Sequence, residues 1–386
     1  MKLLDARPAS HDQLQEDEHW MREALRWSLR GKGWTSPRPS VGCVLVRDGH
    51  IIGGGHTEKG NGRPHAEVVA LREANQHGDA RGATAYVTLE PCSHYATTPP
   101  CSSALIENGV KRVVAGVLDP NPAVAGNGFR MMREAGLEVV EGVLAAECAR
   151  AMDEFLFSIG RKTPFVCLKS AVSLDGKIAL QSGESKWITG SQARAQGHKM
   201  RHYADAVLVG IETVLQDDPG LSVRLDEPTT QPLRIVLDSS ARLPLDAKIW
   251  QDAPALLVAV SDNAPRARIE ALQSQGATII ECERGIDGQL AWKPFLQELG
   301  HREIVSLLIE GGARVAGSAL RAGVVDKVAW FVAPMLMGDG KSALSGFEVE
   351  HLGIAPRLSL VETRTVGPDV LIEGYLKPIP GMTTVH

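Results

Sequence analysis

The sequence predicts an α/β protein of two domains, and three observations carry that prediction. Strand-like and helix-like runs alternate from Arg112 to Phe157, the pattern of a layered sheet with mainly parallel pairing. A break at Gly160-Arg161-Lys162-Thr163-Pro164 separates that pattern from a second set of strands and motifs. At 386 residues the chain is long for one domain. The expected boundaries are 1–160 and 161–386.

The elements follow in order. Residues up to about Glu16 are polar and are expected to fray, and Glu18 to Arg30 reads as a helix with Trp20, Met21, Ala24 and Leu25 on one face. Val41 to Val46 is a strand, Arg47-Asp48-Gly49-His50 a turn, and Ile51-Ile52 opens the partner strand. A helix begins near His65, and a Val- and Thr-bearing strand ends in Glu90-Pro91-Cys92. Cys101 opens a short helix that stops at Gly109. Arg112 to Leu118 is a buried strand, Phe129 to Ala135 a helix, Glu138 to Val143 a strand and Ala145 to Phe157 a helix. Beyond the break, Pro164–Ser170, Ala206–Gly210, Arg234–Leu237 and Ile304–Glu310 read as strands, and a helix carries Arg194, Lys199 and Arg201. Gly311-Gly312 joins the last of these strands to a helix start. That turn fits a phosphate cradle of backbone N–H groups, and it equally fits tight packing. It is not the G-x-G-x-x-G of a dinucleotide-binding unit.

The chemistry concentrates between His65 and Cys101. His65, Cys92 and Cys101 are one nitrogen and two sulfur donors, a set suited to zinc. Three protein ligands leave a tetrahedral ion one position for water, whose pKa zinc lowers to about 7. Glu67 stands two residues from His65 and is placed to move that water's proton. A closed structural site is the alternative, and it needs His94 or Cys43 as a fourth ligand. H-A-E followed by P-C and a later Cys is the residue inventory of a zinc deaminase.

The spacing to the second Cys departs from P-C-x-x-C. The stretch T-L-E-P-C-S-H…T-P-P-C resembles one family, the bifunctional deaminase/reductase of riboflavin biosynthesis. Ala96 and Thr97 stand where that family has Gly and Arg, and Arg38 stands where it usually has Asn. D-P-N-P-x-V-A-G-x-G, from Asp119, is similar to the same family. So are L-K-x-A-x-S-L-D-G, S-G-E-S-x-W-I-T, T-V-L-x-D-D-P, I-V-x-D-S and E-G-G in the second half. The resemblance implies a cytidine-deaminase-like layered domain followed by a dihydrofolate-reductase-like α/β domain that uses NADPH. It implies that Ala171, Trp187, Thr213, Asp217 and Ser239 line the cofactor, with the turn Gly312, Ala313, Arg314, Val315, Ala316, Gly317 and Ser318. Ser185, Arg201, Leu221, Arg224 and Glu310 are then expected to hold substrate. The implied reactions are deamination of a diaminopyrimidinone ribosyl phosphate and reduction of the aminouracil's ribosyl group to ribityl. Self-association is also implied. On the residues alone, Arg201 and Arg224 are forks suited to a phosphate, and Lys169 and Glu310 are candidates for proton transfer.

Composition narrows the partners. With 44% hydrophobic and 23% charged residues the chain is an ordinary globular sequence. Its net charge of −5 points away from nucleic acid, which needs a basic face; the small-molecule substrates are what the resemblance implies. No apolar run reaches membrane-spanning length, and the N-terminus lacks a signal-peptide core. Cys43, Cys148, Cys167 and Cys282 show no disulfide framework, so the expected compartment is the cytoplasm.

Overall fold

A computed structural model describes residues 11–59, 64–94, 99–121, 125–251, 255–285 and 290–382. The chain divides into two compact units, residues 1–160 with 379–386, and residues 161–378. Residues 379–382, the last described, thus cluster with the first unit.

In the first unit, helix α1 (His11–Gly31) precedes strands β1 (Gly42–Arg47) and β2 (His50–His56). Helix α2 (Ala66–Gln76), β3 (Thr84–Leu89), α3 (Cys101–Glu107), β4 (Arg112–Val117), α4 (Asn127–Glu134) and β5 (Glu138–Glu141) follow. Helices α5 (Ala145–Ala151) and α6 (Asp153–Arg161) close it. Among the described residues the sheet order is β2-β1-β3-β4-β5. β1 runs antiparallel to β2 and β3, whereas β3, β4 and β5 are parallel.

Three departures from the sequence reading have physical causes. Helix α1 reaches back past Glu18 to His11, the first described residue, and draws Asp17 inward on its buried face. The Arg112 guanidinium meets both Asp17 carboxylate oxygens, at 2.6 and 2.8 Å, and the Tyr86 hydroxyl donates to the same carboxylate at 3.1 Å. The expected helix from Ala145 to Phe157 is two helices, broken at Met152 (φ −137°, ψ 30°). At that break Lys32 donates to the Ala151 carbonyl and pairs with Glu154. Strand β2 holds Gly53-Gly54-Gly55; Gly54 lies under the Trp27 ring, while Gly53 and Gly55 set the height of α2 above the sheet. A Cβ on Gly53 would lie 2.2 Å from the Ala70 carbonyl oxygen, and one on Gly55 would lie 2.4 Å from that of Ala66. Only glycine admits so close a helix, and the approach buries Ala66, Glu67 and Ala70.

The second unit contains β6 (Phe165–Ser173), β7 (Lys177–Ala179), α7 (Ser191–Tyr203), β8 (Ala206–Gly210), α8 (Ile211–Asp217) and β9 (Leu233–Leu237). Then come β10 (Leu256–Ser261), α9 (Arg266–Ser274), β11 (Thr278–Cys282), α10 (Trp292–His301), β12 (Ser306–Glu310) and α11 (Ala313–Arg321). β13 (Lys327–Ala333), β14 (Lys341–Ser342), β15 (Ser359–Val366) and β16 (Asp369–Tyr375) complete it. The main sheet runs β11-β10-β9-β8-β12-β6-β13-β16-β15. Pairing is parallel from β11 to β13 and antiparallel through β16 and β15. Apolar side chains from the strands fill both faces, with Leu208, Ile235 and Ile309 on one and Val207, Val236 and Val258 on the other. Asp326, fully buried just before β13, accepts from Arg161, Lys377 and the Val166 amide. No helix among the described residues is long and apolar enough to cross a membrane.

Candidate active sites

In the first unit, His65 is the residue before α2, Glu67 lies in that helix's first turn, Cys92 follows β3 and Cys101 opens α3. The sequence-distant ligands meet there. The donor atoms of His65, Cys92 and Cys101 all lie within 4.8 Å of one another. His65 Nδ1 is 3.2 Å from Cys101 Sγ and 3.6 Å from Cys92 Sγ. The Cys101 amide donates to Cys92 Sγ at 3.3 Å. Neither Cys43 nor His94 joins this cluster: Cys43 is fully buried within β1, and His94 is exposed. The described residues therefore form a three-ligand set.

The electrostatics fit a divalent ion with soft ligands. A hydrogen bond from Cys101 lowers the Cys92 thiol, while that bond and burial push Cys101 up. Two such sulfurs facing an imidazole are a shared-proton arrangement that a zinc ion satisfies by replacing protons. The His65 imidazole is raised by its bond to Cys92, against burial, with Glu67 raising it and Arg38 lowering it. Glu67 is only 3% exposed, and burial raises its carboxyl above the ordinary range. A carboxyl so placed carries a proton more readily than an exposed glutamate does. Arg38 donates to the Glu58 carbonyl at 2.6 Å, and Ala96 and Thr97 lie outside the described residues.

In the second unit, a cavity of 1290 Å³ lies along the C-terminal ends of the parallel strands. Ala171, Ser185, Trp187, Arg201, Thr213, Asp217, Leu221, Arg224, Ser239, Glu310, Gly312, Ala313, Arg314, Val315, Ala316 and Ser318 line it. Gly317 does not. A Cβ there would sit 2.0 Å from the Ser345 carbonyl oxygen, so that glycine turns away from the cavity and packs on backbone. The resemblance implied it with the rest of the turn, but helix periodicity sends it to the other face. Gly311 (φ 95°) and Gly312 (φ 86°) adopt the left-handed region that glycine tolerates. This turn points the first turn of α11 at the cavity. Ser185 Oγ donates to Asp217 at 2.8 Å, and Trp187, 66% exposed, carries the Arg194 guanidinium 4.6 Å above its ring.

At the other end of the cavity Glu310 organises the cations. Lys169 and Glu310 are register partners on β6 and β12. Arg201 Nε and Nη2 donate to the two Glu310 oxygens at 2.6 and 2.9 Å, and Arg201 Nη1 donates to the Ser222 carbonyl at 3.1 Å. Lys169 Nζ lies 3.5 Å from Glu310 Oε2. Burial would raise the Glu310 carboxyl, but Arg201 and Lys169 hold it down at about 2. The Arg201 fork is thus directed at a carboxylate, while Arg224 is exposed. Sequence reasoning missed His198, which lines the cavity beside both arginines and accepts from the Arg224 amide. Its position one helical turn before Arg201 was the available signal.

Comparison with known proteins follows this geometry. Residues 14–117 match the cytidine and deoxycytidylate deaminase zinc-binding region, and residues 164–372 match the RibD C-terminal domain. The riboflavin biosynthesis protein RibD of Actinobacillus pleuropneumoniae is 42% identical, over 95% of this chain and 97% of that one. The RibD of Aquifex aeolicus is 39% identical, over 92% and 97%. Among solved structures, Acinetobacter baumannii RibD (form 1) aligns with a TM-score of 0.79 and 38% identity, over 94% of this chain and 99% of that one. A Thermotoga maritima protein titled diaminohydroxyphosphoribosylaminopyrimidine deaminase/5-amino-6-(5-phosphoribosylamino)uracil reductase aligns with a TM-score of 0.79 and 36% identity, over 94% and 99%. With a zinc-ligand cluster in one unit, a strand-end cavity in the other and relatives matched along nearly the whole chain, this protein belongs to the RibD family of bifunctional riboflavin-biosynthesis deaminase/reductases.

Proposed function

We propose that the first unit deaminates 2,5-diamino-6-ribosylamino-4(3H)-pyrimidinone 5′-phosphate. The second unit then reduces the ribosyl group of 5-amino-6-(5-phosphoribosylamino)uracil to ribityl. The observation that carries the first step is the gathering of His65, Cys92 and Cys101 donors beside a buried Glu67. When bound, zinc supplies a Lewis acid that activates water for attack on the amine-bearing ring carbon. His65, Cys92 and Cys101 hold that ion, and the Glu67 carboxylate takes a proton and returns it towards the departing amine. Burial raises the Glu67 carboxyl above the ordinary range, the direction that helps it hold a proton between the two halves of this transfer.

NADPH, when bound, supplies the hydride for the second step. The first turn of α11 and Thr213, Asp217 and Ser239 hold the cofactor; Ser185, Leu221, Arg224 and Glu310 face the substrate. Arg224 takes the phosphate, and Arg201 keeps Glu310 ionised and fixed. Lys169, tethered by the same carboxylate and lining the cavity, is the ammonium assigned to proton transfer at the sugar. The enzyme works as a homo-oligomer in the cytoplasm. Support for the first point is β15, an edge strand with seven of its eight residues exposed, among them Leu360 and Val361. Unpaired cysteines support the second. The test is turnover of the diaminopyrimidinone phosphate with ammonia and NADPH followed together. One ammonia released and one NADPH consumed per substrate is the expected result, and ammonia without NADPH loss refutes the second assignment.

A further inference from the structure

Cys92 is braced by a carboxylate that the chemistry above does not use. Glu90 stands two residues before Cys92 and is 3% exposed. Its Oε2 accepts from the Asp119 amide at 3.3 Å and from the Gly126 amide at 3.0 Å. Its Oε1 accepts from the Gly128 amide at 2.9 Å. Asp119 lies just beyond β4, and Gly126 and Gly128 flank the start of α4. One side chain thus joins the ends of three elements at the root of a ligand.

Gly128 completes the joint. A Cβ there would lie 2.1 Å from the Pro91 carbonyl oxygen, so α4 begins against the peptide that precedes Cys92. On the far side, Ser102 donates to the Cys92 carbonyl through its amide (3.2 Å) and hydroxyl (2.9 Å). Cys92 is therefore held between α3 and α4, and Glu90 secures the α4 side. A carboxylate suits the task because every lone pair accepts. A glutamine would turn an NH₂ group towards one of these N–H donors.

We propose that Glu90 is a positioning residue for deamination. By gathering the Asp119, Gly126 and Gly128 amides it fixes Cys92 relative to His65 and Glu67, and so sets the metal geometry. The proposal rests on reading the first unit as a zinc deaminase. The experiment compares the full-length protein with Glu90→Gln and Glu90→Asp. Measured are the rate of zinc loss to a chelator, the thiolate-to-metal absorption of the cobalt form, kcat and KM for ammonia release, and NADPH-dependent reduction of the deaminated intermediate. Glu90→Gln is expected to bind zinc but lose it about 10- to 100-fold faster, with kcat reduced on the same scale. Its KM stays within about twofold, the pattern of an interaction acting on the reaction and not on substrate binding. The cobalt band shifts, Glu90→Asp recovers part of kcat, and reduction is unchanged. An unshifted cobalt band with wild-type zinc loss in Glu90→Gln overturns the proposal. So does a fall in activity that only tracks the fraction of folded protein. A wild-type enzyme that binds cobalt yet releases no ammonia would defeat the deaminase reading instead, while the cobalt and chelator comparisons would still decide the role of Glu90.

Discussion

Replacing Glu310 with Gln removes one buried negative charge from between two half-buried cations, Arg201 and Lys169. The carboxyl sits at about 2 in the folded protein against an ordinary 4.5, so the difference is about 2.5 units. At 1.36 kcal/mol per unit this is about 3 kcal/mol of stability at neutral pH. Glu310 is 8% exposed, so solvent screening takes little from that figure. The sign follows from a depressed folded pKa. The contribution is complete above the unfolded pKa and is lost as pH falls from about 4.5 towards about 2. At about pH 3.5 the unfolded chain has taken up most of a proton, and about 2 kcal/mol should remain. The assay is denaturant unfolding of wild type and Glu310→Gln at about pH 7 and about pH 3.5, following the transition of the second unit by the fluorescence of its tryptophans. The expected gap between the two proteins narrows by about 1 kcal/mol on acidification. A gap of the same size at both pH values, or none at neutral pH, refutes the argument that Arg201 and Lys169 hold this carboxylate ionised.

Four further outcomes are expected. Glu67→Gln keeps its zinc and loses ammonia release by about 10²- to 10⁴-fold, while reduction of the deaminated intermediate continues, as coupled spectrophotometry would show. Chelator-stripped enzyme behaves likewise, and zinc readdition restores ammonia release. Gly312→Ala forces a methyl into a φ of 86° and within 3.4 Å of Thr213 Oγ1, costing about 1–2 kcal/mol of local strain. It weakens NADPH binding in a fluorescence titration. Asp17→Ala leaves Arg112 with Glu138, at 2.8 Å, and takes the acceptor from the Tyr86 hydroxyl, which costs about 1–3 kcal/mol, read from the melting of the first unit.

The ligand set was legible because its chemistry is carried by rare residue types in short motifs. H-A-E and E-P-C announce themselves, and the long loop before Cys101 identified the family. What stayed hidden depends on partners far along the chain. Nothing near Asp17 shows that it is buried, because its partner Arg112 lies 95 residues away. Arg201 reads as a phosphate fork in sequence, yet Glu310, 109 residues on, occupies the Nε/Nη2 edge of its guanidinium. The Gly53-Gly54-Gly55 run went unread in the sequence, and it is the approach of α2 to Gly53 and Gly55, and of the Trp27 ring to Gly54, that explains it. Residues 241–303 hold β10, α9, β11 and α10 but no chemical motif, so the reading passed over them.

Asp326 has a consequence for the chain's modularity. Arg161 enters the second unit and Lys377 leaves it, and both meet this one carboxylate. A polypeptide whose entry and exit are buttoned together can be cut out, transplanted or rejoined elsewhere without unravelling its sheet. The first and last turns of the second unit are, through this carboxylate, fastened to each other.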